Sequence, residues 1–329
     1  ENGAEEWRAL AEFAETHALP ALFDAQKLKI GSAEYLVLAN GMEQAHKWDG
    51  QSETAEAFGS ATLLSDVPAT LLELYFNRLF AAGDALHPSR LYWSCAPGDS
   101  RTVEDWSSVP ESENVGGGFV EVGADSDPIT GLFALSNQLV VFKRDSLYRL
   151  LGDRPGNFRI TPVNAAMDSC VHTACVRYGD ALYFLTRAGL YLFDGQSVKR
   201  MSDADKIRAF LKNTDVTRCV SAASADRLYF AVREDGSDKN NAVLTYDLSR
   251  AAYMIRRGFT AVDFAAVGGR LYLLDGNGYI CRFGEGASYA GEPVDAYWYT
   301  PETDLGDKTS VKKLRELYLR GAGKILAVS

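Results

Sequence analysis

Residues that bind transition metals are scarce in this chain of 329 residues. It has five cysteines and four histidines, and no two cysteines stand as Cys-x-x-Cys. Cys95, Cys170, Cys175, Cys219 and Cys281 are odd in number and sit among apolar or strand-like residues. They read as reduced core thiols rather than a disulfide framework or a zinc site. His17, His46, His87 and His172 are scattered without ligand spacing, so no metal site is expected. Basic residues are outnumbered, with 34 Lys and Arg against 44 Asp and Glu, a formal net charge of −10. No basic run is long enough to grip a phosphate backbone, which argues against nucleic-acid binding, including the sequence-specific kind. No stretch approaches the roughly 18 consecutive apolar residues that span a bilayer, and the start lacks the basic-then-apolar pattern of a signal peptide. The chain begins at Glu1 and stops within the alternating run from Lys324 to Ser329, so it is expected to be a piece of a longer protein.

Catalytic motifs are also missing. Gly-x-Ser-x-Gly does not occur, nor do the repeated Ser-x-Asp-x-Gly-x-x-Trp turns of sialidase-like propellers. The run Gly116, Gly117, Gly118 lacks a following Lys-Ser or Lys-Thr and a helix, and reads as a flexible turn rather than a nucleotide loop. A glycosidase needs two facing carboxylates, and 44 acids satisfy that too easily to decide anything. No catalytic residue, cofactor or metal ligand is assigned.

A short phrase recurs instead: a polar pair followed by four or five apolar or aromatic residues. It begins at Glu34, Asn77, Asn137, Asp180, Asp226 and Gly269, with spacings of 43, 60, 43, 46 and 43. Most copies are followed, after a turn, by a second strand-like run, such as Gly189 to Gly195 or Gly278 to Gly284. Each unit therefore contains a hairpin with room for two more strands. Four strands in roughly 40 to 45 residues is the pattern of a propeller blade. A two-sheet sandwich also has many short strands, but has no reason to repeat one phrase every 43 residues. The expectation is an all-β propeller of about six four-stranded blades, with a seventh if a preceding segment completes one.

The expected boundaries are a lead-in or partial blade over 1–33, the propeller over 34–292, and a closing strand or the start of a C-terminal β domain over 293–329. A short helix or an irregular lead-in is expected over Glu5 to His17. A second short helix is expected over Asp203 to Lys212, capped by Ser202 or Asp203, with Ile207, Phe210 and Leu211 on one face. Asp194, Asp235 and Asp275, each followed by glycine, read as turn corners. The repeated Leu-Tyr pairs read as core packing. The longest irregular stretch, Ser94 to Asp127, is the candidate contact surface, through Glu104, Asp105, Trp106, Gly116, Gly117 and Gly118. Its alternative is an ordered excursion between blades with Trp106 tucked inside.

The succession Phe76 to Asp84, His87 to Ser94, then Glu104, Asp105 and Trp106 resembles the β-propeller structural proteins of tailed bacteriophages and prophages. Asp127 to Gly152, Gly189 to Gly195, and Asp304 to Gly306 followed by Lys312 and Lys313 extend the resemblance over roughly residues 34 to 320. It implies a non-enzymatic virion component of the tail or head–tail connector, made in the bacterial host cytoplasm. Its partners would be other virion proteins and copies of itself, with no membrane and no cofactor. A carbohydrate-binding or carbohydrate-cleaving propeller in receptor recognition, and a cellular interaction propeller, are the alternatives.

Overall fold

In the computed structural model, the first five copies of the phrase each become the second strand of an antiparallel sheet, and the sixth lies within the last of these sheets. Described are residues 24–59, 69–98, 101–108, 114–164, 168–201 and 207–286, with 288, 289, 291–293, 311 and 313. The first blade comprises β1 (Asp24–Ile30), β2 (Ala33–Ala39), β3 (His46–Trp48) and β4 (Glu56–Ala57). The second has β5 (Leu71–Tyr75), β6 (Arg78–Ala82), β7 (Arg90–Trp93) and β8 (Gly118–Glu121). The third has β9 (Ile129–Leu135), β10 (Gln138–Lys143), β11 (Leu147–Leu151) and β12 (Arg159–Val163). The fourth has β13 (Cys175–Tyr178), β14 (Ala181–Thr186), β15 (Gly189–Phe193) and β16 (Val198–Arg200). Strands pair in chain order in all four.

The fifth sheet differs. It runs β17 (Thr214–Ser224), β18 (Arg227–Glu234), β19 (Asn240–Asp247), β20 (Ala252–Val267), β21 (Arg270–Asp275) and β22 (Ile280–Arg282), six strands in one ladder. The first part of β20 pairs with β19 and the second with β21. Gly258 has φ +94°, and both ladders shift register near Ala261. The propeller therefore has five blades, not about six. The sixth phrase folds as β21, but β20 carries the fifth blade straight into it, with no break to start a separate sheet.

The polar start of each phrase is explained by its turn. The first two strands of every sheet, and β20 with β21, are joined by two residues. φ is positive at Gly31, Phe76, Asn77, Ser136, Gly179, Ala225, Gly268 and Gly269. Such turns match the right-handed twist of the strands they join.

The apolar run is explained by burial on both faces. Successive residues of a strand face opposite sides. On β6, Leu79 and Ala81 join Leu28, Val37, Phe58 and Leu72 between the first two blades. Phe80 and Ala82 join Leu132, Leu139 and Val141 between the second and third. On β18, Leu228, Phe230 and Val232 pack with Phe184 and Phe193 of the fourth blade, while Tyr229 and Ala231 meet Leu271 and Leu273 of β21. The last sheet thus folds its outer strands back over its own blade.

A helix, α1 (Arg208–Lys212), links the fourth and fifth blades, with Ile207, Phe210 and Leu211 buried as the spacing predicts. Residues 202–206, which include both proposed caps, lie outside the described residues, as do the expected helix over Glu5 to His17 and the strand-like runs after 293. The first blade begins at Asp24, ahead of Glu34. The chain divides into two units, Glu1–Glu285 and Gly286–Ser329. The second contains the short hairpin β23 (Ser288–Tyr289) and β24 (Glu292–Pro293).

Candidate functional site

An innermost strand has one edge without a ladder partner, and its backbone groups need other satisfaction. Here the neighbouring blade's side chains supply it. Leu72 of β5 donates its N–H to Asp24 Oδ2 at 2.6 Å, and its carbonyl accepts from Gln26 Nε2 at 3.0 Å. The Leu132 N–H on β9 donates to His172 Nδ1 at 3.4 Å, and the Ala134 carbonyl accepts from Arg177 at 2.6 Å. Ser221 of β17 donates to the Thr173 carbonyl at 2.8 Å.

These bonds gather titratable groups. Glu73 of β5 is buried, and burial pushes its carboxyl up to about 7 against the pull of Arg177 and a backbone hydrogen bond from Ala134. His172 stacks on Phe133 with ring centroids 4.5 Å apart. Burial lowers its affinity for a proton although Asp24 is near. Among the described residues no group of three or more His, Cys, Asp or Glu is arranged to hold a metal ion. The five cysteines are free, four of them buried, and burial raises the thiols of Cys170, Cys175 and Cys219.

The second assembly of chemistry lies between the first two blades and involves the expected contact residues. Trp106 is fully buried among Leu28, Val37, Phe58 and Tyr92. Glu104 pairs with Lys47 of β3 at 2.8 Å. Asp105 holds Arg101 at 2.5 Å and accepts from Ser107 N and Oγ at 2.9 and 2.6 Å. Burial works against charge on Asp105, but the Ser107 bonds and Arg101 outweigh it and keep the carboxyl below its usual value.

The glycine run, expected as a flexible turn, is instead close-packed. The Gly116 carbonyl accepts from Arg78 Nη1 at 2.9 Å. A Cβ on Gly117 would stand 2.5 Å from the Trp106 carbonyl oxygen, and one on Gly118 2.8 Å from Trp93 Cζ2. Arg78 is 1% exposed and also binds the carbonyls of Ser94, Val115 and Asn114. The loop is therefore wrapped around a buried guanidinium.

The outer side of this loop forms one wall of a cleft of about 500 Å³. Pro97, Gly98, Arg101, Thr102 and Val103 face Lys27, Leu28, Lys29, Ile30, Gly31 and Glu34 of the first blade, with Leu74 and Asn77 between them. Glu104, Asp105 and Trp106 do not line it; Asp105 sets the position of Arg101, which does. Arg101, Lys27 and Lys29 carried no signal in the sequence beyond their charge, and Arg78 was visible only as part of the recurring phrase. No helix among the described residues is long and apolar enough to cross a membrane.

No family model and no curated protein matches the chain. Among solved structures it is similar to the computationally designed Ika8 protein, at 9% identity over 78% of this chain and 69% of that one, with a TM-score of 0.49. It is also similar to the extracellular domain of a one-component system from B. thetaiotaomicron, at 10% identity and a TM-score of 0.48, over 78% of this chain and 33% of that one. The chain spans about a third of the latter's length.

Proposed function

We propose that the chain is a non-enzymatic virion component of a tailed bacteriophage or prophage, a rigid propeller module of the tail or head–tail connector. It assembles with copies of itself and with neighbouring virion proteins. The observation that carries an assembly role is the outward face of β20 to β22. Leu271 and Leu273 point into the core, while Val267, Leu274 and Ile280 on the opposite face are 62%, 37% and 58% exposed, with Tyr279 beside them. Exposed apolar side chains gathered on one sheet face offer a contact surface, here with Arg270 and Arg282 between Val267 and the paired Leu274 and Ile280. Strands buried on both faces supply the rigidity. The resemblance of Phe76 to Trp106 and of Asp127 to Gly152 to phage propellers points the role toward the virion.

Light scattering with negative-stain imaging tests this. Defined rings, tubes or discrete oligomers are expected, and Val267→Glu with Ile280→Glu is expected to disperse them without loss of the β circular-dichroism signal. A strict monomer at high concentration that also fails to bind purified tail or connector assemblies overturns it.

A further inference from the structure

We propose that the cleft between the first and second blades is a binding site for a small ligand carrying a carboxylate or phosphate group. This goes beyond the assembly reading and does not depend on it.

Volume and floor favour a small organic molecule over a bare ion. At about 500 Å³ the cleft falls within the roughly 300 to 1,000 Å³ of small-molecule sites. Its floor is apolar, made by Leu28 and Val103, both buried, with the half-buried Ile30 and Leu74. A Cβ on Gly31 or on Gly98 would meet nothing within 4 Å, so the two facing turns leave open space.

The charge of the rim selects the ligand. Lys27, Lys29 and Arg101 line the cleft with one carboxylate, Glu34, and Asp105 stands behind Arg101. That balance runs opposite to a chain of net charge −10. Lys27 and Lys29, two apart on β1, share the side of the strand opposite Leu28 and Ile30 and meet the cleft at the strand's edge. Lys27 pairs with Glu34 at 2.7 Å, but the side chains are 68% and 56% exposed. Such a pair is worth little and yields readily to a competing anion.

Arg101 is the positioned group. Its Nη1 is fixed by Asp105 and by Ser107 Oγ at 2.9 Å, and its backbone pairs with Gly98 across the loop. Among the described residues no partner engages its Nε or Nη2. A guanidinium presents five donors in a planar fork suited to carboxylate and phosphate. Asp105 and Ser107 therefore hold the fork while part of it remains for a ligand, and Asn77 and Thr102 add polar groups at the walls.

Calorimetric titration of the full chain with glucuronate, glucose 6-phosphate, glucose and inorganic phosphate tests the site. Binding of glucuronate or glucose 6-phosphate is expected, with glucose at least tenfold weaker and affinity falling as salt is raised. Glucuronate alone would identify a carboxylate site; glucose 6-phosphate alone, a phosphate site. Arg101→Gln and Lys29→Gln are each expected to weaken binding about tenfold. Lys29 is exposed, so its variant folds whatever becomes of the loop. No heat from either acidic sugar at 10 mM, inorganic phosphate binding as tightly as the sugars, or affinity unchanged in both variants would overturn the proposal. Light scattering of the same variants is expected to match the parent, so this site and the assembly surface can fail separately.

Discussion

His172 Nε2 stands 3.8 Å from Asp24 Oδ2, which links the lead-in of the fourth blade to the innermost strand of the first. Because Nδ1 accepts the Leu132 N–H, the ring proton sits on Nε2, facing the carboxylate. The pair is thus a neutral imidazole beside a carboxylate. Protonating Nδ1 would displace the Leu132 N–H. With the folded-state value lowered, the stability His172 contributes is complete above the ordinary 6.5 and is lost as pH falls through the folded value. An NMR titration is expected to place His172 below 6.5.

Glu73 has the opposite dependence. Its folded-state value near 7 lies above the ordinary 4.5, so the folded protein keeps a proton that the unfolded chain gives up. Stability is expected to fall as pH rises between those values and to stay lower beyond them, by up to about 3 kcal/mol. Glu73→Gln should gain on the parent by that order between pH 5 and pH 8. Urea unfolding at the two pH values checks the difference.

Arg78 is expected to be the most sensitive position of the second blade. Replacing it with Met leaves the carbonyls of Ser94 and Gly116 without their donor in a buried setting, and frees that of the exposed Asn114. Each orphaned group costs roughly 1 to 3 kcal/mol. We expect at least about 2 kcal/mol of destabilisation. Hydrogen exchange is expected to rise first between Cys95 and Gly118.

Ala225 turns the first hairpin of the fifth blade at φ +51°. An alanine there bears a steric cost that glycine avoids, partly offset by glycine's greater freedom when unfolded. Ala225→Gly is expected to stabilise the protein by about 0.5 kcal/mol. The readout is a higher denaturant midpoint at unchanged slope.

The class of fold was legible because one physical requirement wrote one phrase: a two-residue turn, then a strand buried on both faces. Every copy landed on a strand after such a turn, with both faces buried on β6 and β10 and one face open on β21. The number of blades was not legible, because the phrase marks a hairpin and says nothing of whether a new sheet begins there. The uninterrupted β-forming run from Ala252 to Val267, with no turn pair inside it, held the missing information. The buried charges were hidden for a different reason. Arg78, Glu73 and Lys143 occupy strand positions where a polar residue ordinarily faces water; loop backbone covers Arg78 and Lys143, while Glu73 lies against Ala134 of β9 and Arg177 of β13. Lys143, for instance, binds the Val122 and Ala124 carbonyls. The loop from Ser94 to Asp127 stood out by its length, but the residue it brings to the cleft is Arg101 and not Glu104, Asp105 or Trp106.

β20 has a consequence for how the molecule comes apart. Elsewhere in the ring a blade ends before the next begins, so a local opening can stop at a loop. At β20 one sixteen-residue strand serves two ladders, and freeing either neighbour strips half the bonds that hold the strand straight for the other. The last two repeats are therefore expected to melt together, with loosening of β21 reaching the fifth blade through β20.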